Sequence, residues 1–135
     1  MFVIDASVTL AWCFDDESSV AADLVLRRLE HEGALAPAHW PLEIANALRT
    51  AECGGLVDGS DLPRLRSLLA MLPVDIAPVE LTTATSGVLE AARTYDLSAY
   101  DAAYLQLASV RGVSLATMDD RLRDACDRAG VALVA

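Results

Sequence analysis

Four short apolar runs, Phe2 to Ile4, Ala34 to Ala36, Val74 to Ala77 and Val113 to Ala116, are separated by stretches whose apolar residues recur at helical spacing. Strands that alternate with helices argue for a parallel sheet with helices on both faces, in which ligand sites form at the carboxyl ends of the strands. The intervening helices carry their own punctuation. Val20 to Leu29 has helical spacing and stops at Gly33. Pro41 suits the first turn of a helix that runs through Leu42, Ala45 and Leu48 toward Gly54. Leu62, Leu65, Leu68, Leu69 and Leu72 form the stripe of an amphipathic helix that ends before Pro73. Further helices are predicted from Thr82 to Tyr95, from Ser98 onward, and from about Met118 to Ala129, with Gly130 as a stop before Val131 to Val134.

With 135 residues, 54% of them hydrophobic, the expectation is one globular domain spanning residues 1–135. The formal net charge is -10, and all ten Lys+Arg residues are Arg. That acidity opposes broad non-specific binding to a phosphate backbone, although a bound divalent cation would reverse the potential locally. Cys13, Cys53 and Cys126 show no C-x-x-C pattern, so neither a disulfide framework nor a zinc ribbon is indicated, and a reducing cytoplasm fits. The opening MFVIDAS lacks a basic leader and no apolar run reaches membrane-spanning length, so a soluble protein with no membrane partner is expected.

Asp5 directly follows the first apolar run and is thereby delivered to the crevice end of the sheet, a place that a turn-forming Asp also occupies. Ser7 is positioned to cap the following helix or to join the outer shell of a metal. Glu43 falls in the first turn of its helix, where the macrodipole favours an acid in any case, and Asn46 lies one turn later on the same face. Asp101 sits in Ser98-Ala-Tyr-Asp101, which has the form of a capping box, yet its helix is the most apolar of the chain. A buried carboxylate there calls for a cationic partner. In Thr117-Met-Asp-Asp120, Asp120 fits the capping partner of Thr117, which leaves Asp119 for a site and Thr117 to orient a ligand or water. The run Asp15, Asp16 and Glu17 reads as a solvated loop. Gathering Asp5, Glu43, Asp101 and Asp119 at one end of a sheet brings like charges together, which should require Mg²⁺ or Mn²⁺ as counterion.

Other chemistries lack their residues. His31 and His39 stand in no zinc-binding pattern, and there is no G-x-S-x-G elbow or Gly-rich phosphate loop. Haloacid-dehalogenase-like phosphatases and response-regulator receivers, similar in architecture, need a lysine near the phosphate, and this chain has none.

The segments Asp5-Ala-Ser7, Pro41-Leu-Glu43-Ile-Ala-Asn46, Tyr100-Asp101-Ala-Ala-Tyr104-Leu105 and Thr117-Met-Asp119-Asp120-Arg-Leu122, in that order and spacing, together resemble a PIN domain. Asp5 to Trp12 resembles in particular the VapC toxins of VapBC toxin-antitoxin systems. The resemblance implies a three-layer α/β/α sandwich with a central parallel sheet and a Mg²⁺- or Mn²⁺-dependent endoribonuclease. Its ligands would correspond to Asp5, Glu43, Asp101 and Asp119. Asp5 and Asp101 would bind the metal directly, Asp119 would complete the site, and Glu43 would hold a second metal or position the nucleophile through water. The implied outcome is hydrolysis of an RNA phosphodiester to a 5′-phosphate and a 3′-hydroxyl.

A VapB-like antitoxin is implied as well, presenting a basic residue to the acidic pocket from an apolar groove, along with pairing of two chains around a shared RNA groove. The helix from Leu62 to Leu72 has the stripe for a dimer or antitoxin contact, and equally for ordinary core packing. Arg49, Arg64 and Arg66 are candidates for phosphate contacts or for solvated helix faces. Two rival readings keep the fold but change the function. One is a binding module that retains the acids without turnover; the other is a DNA-directed nuclease, for whose arch or clamp the chain has little room.

Overall fold

The computed structural model describes residues 1–14 and 19–135, so the acidic run at Asp15, Asp16 and Glu17 lies outside the described residues. In chain order the elements are β1 (Phe2–Ile4), α1 (Ala6–Cys13), α2 (Val20–Glu32), β2 (Ala34–Pro37), α3 (Trp40–Cys53), α4 (Leu62–Ala70) and β3 (Val74–Ala77). A helical run then passes through α5 (Leu81–Thr83), a π-helical turn (Ala84–Val88) and α6 (Leu89–Tyr95), followed by α7 (Ala99–Arg111), β4 (Leu115–Ala116) and α8 (Asp120–Ala129).

The four strands form one sheet in the order β3-β2-β1-β4, every neighbouring pair parallel. That order places the helices. Moving from β1 to β2 to β3 steps one way across the sheet, and moving from β3 to β4 steps back past β1. Right-handed crossovers therefore put α1 to α4 on one face and α5 to α7 on the other, giving the three-layer α/β/α sandwich. The direction of winding reverses between β1 and β4, and the crevice beyond their carboxyl ends is where such sheets hold ligands.

β1 lies inside the sheet and all three of its residues are buried, while the edge strand β3 exposes Asp75 and Ile76. Phe2, Ile4, Val8, Leu29, Tyr104 and Leu122 belong to the main core. A second apolar cluster joins Cys13, Phe14, Ala51, Val57 and Leu65, with Leu62 and Leu69 packed against it. The leucine stripe of α4 is thus used largely in core packing.

Three boundaries differ from the sequence expectation, each for a local reason. Val113 does not join β4, because its N–H bonds back to the Ala108 carbonyl around Gly112, whose φ of 66° makes it part of the α7 stop. The helix expected at Met118 starts at Asp120, because Asp119 is extended and caps it through the Arg121 and Leu122 N–H groups. The run expected from Thr82 begins at Leu81 and contains the π-helical turn. There Thr85 Oγ1 donates to the Leu81 carbonyl at 2.8 Å and Ser86 Oγ to that of Thr82 at 2.6 Å, hydroxyls competing with the regular ladder.

Candidate active site

The register sets the site. Ile4 pairs with Ala116, so the next residues, Asp5 and Thr117, leave the sheet side by side at its switch point. Asp5 is only 5% exposed. It is the N-cap of α1: Oδ1 accepts from the Val8 N–H at 3.2 Å and from Ser7 Oγ at 2.6 Å, while Oδ2 accepts from Thr117 Oγ1. The two hydroxyls are themselves anchored. Ser7 Oγ accepts from the Met118 N–H at 2.8 Å and Thr117 Oγ1 from the Asp119 N–H at 3.0 Å, which ties Asp5 to the backbone leading into α8. Burial pushes the Asp5 carboxyl up to about 6, against the pull of the Ser7, Thr117 and Val8 hydrogen bonds, and the Asp119 charge adds to the rise.

Two capping assignments read from sequence are corrected here. Ser7 does not cap α1, because Asp5 holds that position two residues earlier and Ser7 donates to it. Asp120 does not act as a capping partner of Thr117, whose hydroxyl is turned to Asp5. Asp119 is the N-cap of α8, its Oδ1 accepting from the N–H groups of Arg121 at 2.9 Å and Leu122 at 3.3 Å, and Asp120 is exposed. The Asp119 charge nevertheless adds to the rise of both the Asp5 and the Asp101 carboxyls.

Asp101 is half-buried in the first turn of α7, with its N–H on Ser98 Oγ at 3.1 Å as the capping pattern predicts. Burial raises its carboxyl first, followed by the charges of Asp119 and Glu43, while Ser98 and Arg121 oppose the rise. Glu43, in the first turn of α3, accepts at Oε1 from the Tyr104 hydroxyl at 2.5 Å and lies 3.3 Å from His39 Nε2. Tyr104 is 1% exposed, and burial together with the Glu43 hydrogen bond drives its ionisation well above the ordinary phenol range, so it stays a donor.

Tyr104 and His39 were not identified as site residues by sequence reasoning, although signals existed: His39 stands one helical turn before Glu43, and Tyr104 three residues after Asp101. Asn46 is exposed one turn beyond Glu43, and its side chain makes no hydrogen bond among the described residues. Arg49 is paired with Glu52 at 2.9 Å. Arg64 lines a groove of about 410 Å³ with Cys13, Phe14, Leu56, Val57, Asp61 and Leu65, apart from the four acids, and Arg66 is exposed on α4.

The structure therefore gathers Asp5, Asp101, Asp119 and Glu43 into one electrostatically linked group. It does not converge them: among the described residues, no three His, Cys, Asp or Glu side chains stand close enough to hold an ion. Three of the four carboxylates are instead turned toward donors of their own, Asp5 and Asp119 to helix amides and Glu43 to Tyr104. Like charges without a counterion separate in this way. The donor set is all oxygen, which suits a hard divalent cation and not zinc.

A parallel sandwich with acids at its switch point is the architecture of a ligand-binding α/β domain, and comparison with known proteins narrows the class. The family model described as PIN domain matches residues 2–128. The chain is 32% identical over 122 residues to Ribonuclease VapC12 of Mycobacterium tuberculosis, a match covering 90% of this chain and 89% of that protein and found in two strains. The crystal structure of PAE2754 from Pyrobaculum aerophilum superposes with a TM-score of 0.69 at 24% identity, over 92% of this chain and 84% of that one, which shows the shared fold. The chain belongs to the PIN-domain family, among its VapC-type members.

Proposed function

We propose that this chain is a Mg²⁺- or Mn²⁺-dependent endoribonuclease toxin, a single PIN domain over residues 1–135 that acts in the cytoplasm and is neutralised by a VapB-like antitoxin. The observation that carries the reading is Asp5. A carboxylate 5% exposed, met only by hydroxyls and an amide and raised further by the Asp119 charge, has no cation beside it among the described residues. Burial penalises the anion of such a group, and a cation from outside the chain would offset that penalty. The ribonuclease name of the mycobacterial relative supports the substrate class.

In this reading Asp5 and Asp101 hold the metal, Asp119 completes the site, and Glu43 orients water or a second ion. The bound cation supplies Lewis acidity toward the scissile phosphate and lowers the pKa of water. The protein supplies placement. Ser7 and Thr117 keep both oxygens of Asp5 aimed from the strand end, and the amides at the start of α8 hold Asp119 beside it. The products are a 5′-phosphate and a 3′-hydroxyl. The groove around Phe14, Leu56 and Val57, which Asp61 and Arg64 also line, supports an antitoxin contact, and the net charge of -10 suits a partner with a basic segment. Exposed Leu42 and Tyr100, on α3 and α7, support pairing of two chains around a shared RNA groove.

The test is incubation of the purified chain with structured RNAs and Mg²⁺, beside Asp5→Asn and Asp101→Asn variants whose melting shows that they fold. Metal-dependent cleavage lost in both variants is expected. Undiminished cleavage by either one would sink the mechanism.

A further inference from the structure

Glu43 differs from Asp5 and Asp119 in that no helix amide holds it: its hydrogen bond comes from a side chain on another helix. Oε1 accepts from the Tyr104 hydroxyl at 2.5 Å. His39 Nε2 lies 3.3 Å from the same oxygen, but it donates its hydrogen to the Tyr100 carbonyl oxygen at 3.0 Å and is not a second donor to Glu43. The imidazole instead rests edge-on against Tyr104 at 5.1 Å, beside the ring that carries the hydroxyl. Oε2 has no protein donor among the described residues.

We propose that Tyr104 is a positioning residue whose hydroxyl clamps Oε1 of Glu43, so that Glu43 serves the site through Oε2, as a monodentate ligand or as the acceptor of one oriented water. This rests on the proposed metal-dependent nuclease. Glu43 lies in the first turn of α3 and Tyr104 reaches across from α7, so the docking of α7 sets the direction of the carboxylate. Partners that orient a ligand typically change metal affinity or activity tenfold to a hundredfold when lost.

Tyr104→Phe removes the hydroxyl and keeps the buried ring. Mn²⁺ binding by calorimetry should weaken about tenfold to a hundredfold, and kcat for RNA should fall by a similar factor with KM nearly unchanged. In a Glu43→Ala background the same substitution should change neither quantity, because the group it acts through is gone. A purely structural role predicts equal effects in the two backgrounds, and that result overturns the clamp. Tighter Mn²⁺ binding by Tyr104→Phe overturns it too, since the hydroxyl would then compete with the metal. Should Tyr104→Phe fail to fold, Glu43→Gln decides the matter: with the hydroxyl holding the amide oxygen, the NH2 group faces the site, so Mn²⁺ binding should fall to the level of Glu43→Ala. Binding retained above that level rejects the clamp. A wild-type chain that neither binds Mn²⁺ nor cleaves RNA overturns the nuclease reading together with this one. Wild-type binding and cleavage beside an unaffected Tyr104→Phe overturns the clamp alone.

Discussion

The two ends of the sheet hold carboxylates in opposite states. At the carboxyl end, Asp5 is buried, partnered by neutral donors and pushed up to about 6. At the amino end, Glu32 closes α2 just before β2 and pairs with the Arg28 guanidinium at 3.1 Å and the chain's N-terminal amine at 2.9 Å. The Arg28 hydrogen bond, seconded by the terminal amine, holds its carboxyl below the usual range. Both acids are hydrogen-bonded, so hydrogen bonding does not distinguish them. What differs is charge balance: Glu32 has cations of its own in the open solvent, and Asp5 has none in a dry pocket. One end of the sheet is electrostatically balanced as folded, and the other holds a buried carboxylate with no cation beside it among the described residues.

The largest expected effect breaks that contrast directly. Asp5→Asn should lower metal-dependent RNA cleavage about a hundredfold or more, since metal stabilisation of the reaction is worth several kcal/mol. The same variant should melt higher than the wild type at neutral pH without metal, because it removes a buried charge. An activity loss accompanied by a lower melting temperature would place Asp5 among ordinary structural caps.

Next is the pH dependence of the metal-free protein. The Asp5 carboxyl ionises near 3.8 when unfolded and near 6 when folded, so between those values the native state binds more protons than the unfolded state. Stability must then fall as pH rises from about 4 to about 6 and level off above, by about 3 kcal/mol in total at ~1.4 kcal/mol per pH unit. Urea titrations across that range should show the slope in the wild type and lose this contribution in Asp5→Asn. Addition of Mn²⁺ should oppose the decline, because binding to the native state adds stability where the carboxylate is charged.

Thr117→Val should have a smaller effect. It removes the donor to Asp5 and the acceptor of the Asp119 N–H, at about 2 kcal/mol at neutral pH, and should move the Asp5 titration further upward. Denaturant unfolding at pH 7 and pH 4 distinguishes the two contributions, with the smaller loss at pH 4. The smallest effect belongs to the other end: Glu32→Gln should leave cleavage unchanged and shift the melting temperature slightly, with the shift disappearing in high salt. A large loss of cleavage there would remove the distinction between the two ends.

The alternation of apolar runs with helical spacing was enough to place β1, β2 and β3 within a residue of their observed limits, because burial of short strands leaves a compositional trace. Asp5 at a strand end and Asp101 behind a Ser98 cap were legible for the same local reason. Capping choices were less so. Ser7, Thr117, Asp119 and Asp120 are all competent caps in sequence, and the outcome depended on which hydroxyls β1 and β4 turned toward each other across 112 residues of chain. The leucine stripe of α4 fitted core and partner equally until Cys13, Phe14 and Val57 were seen packed against it.

By itself the sequence determined the pattern of strands and helices and the parallel fold class, since periodicity and helix starts are local properties of the chain, and it nominated the four acids, Glu43 chiefly through the family resemblance. Tertiary structure alone decided how those acids differ: Asp5 buried among hydroxyls, Asp119 on helix amides, Glu43 held by Tyr104. The physical reason is that burial and hydrogen bonding between residues 61 or 112 positions apart follow from strand order and register, which no local pattern encodes.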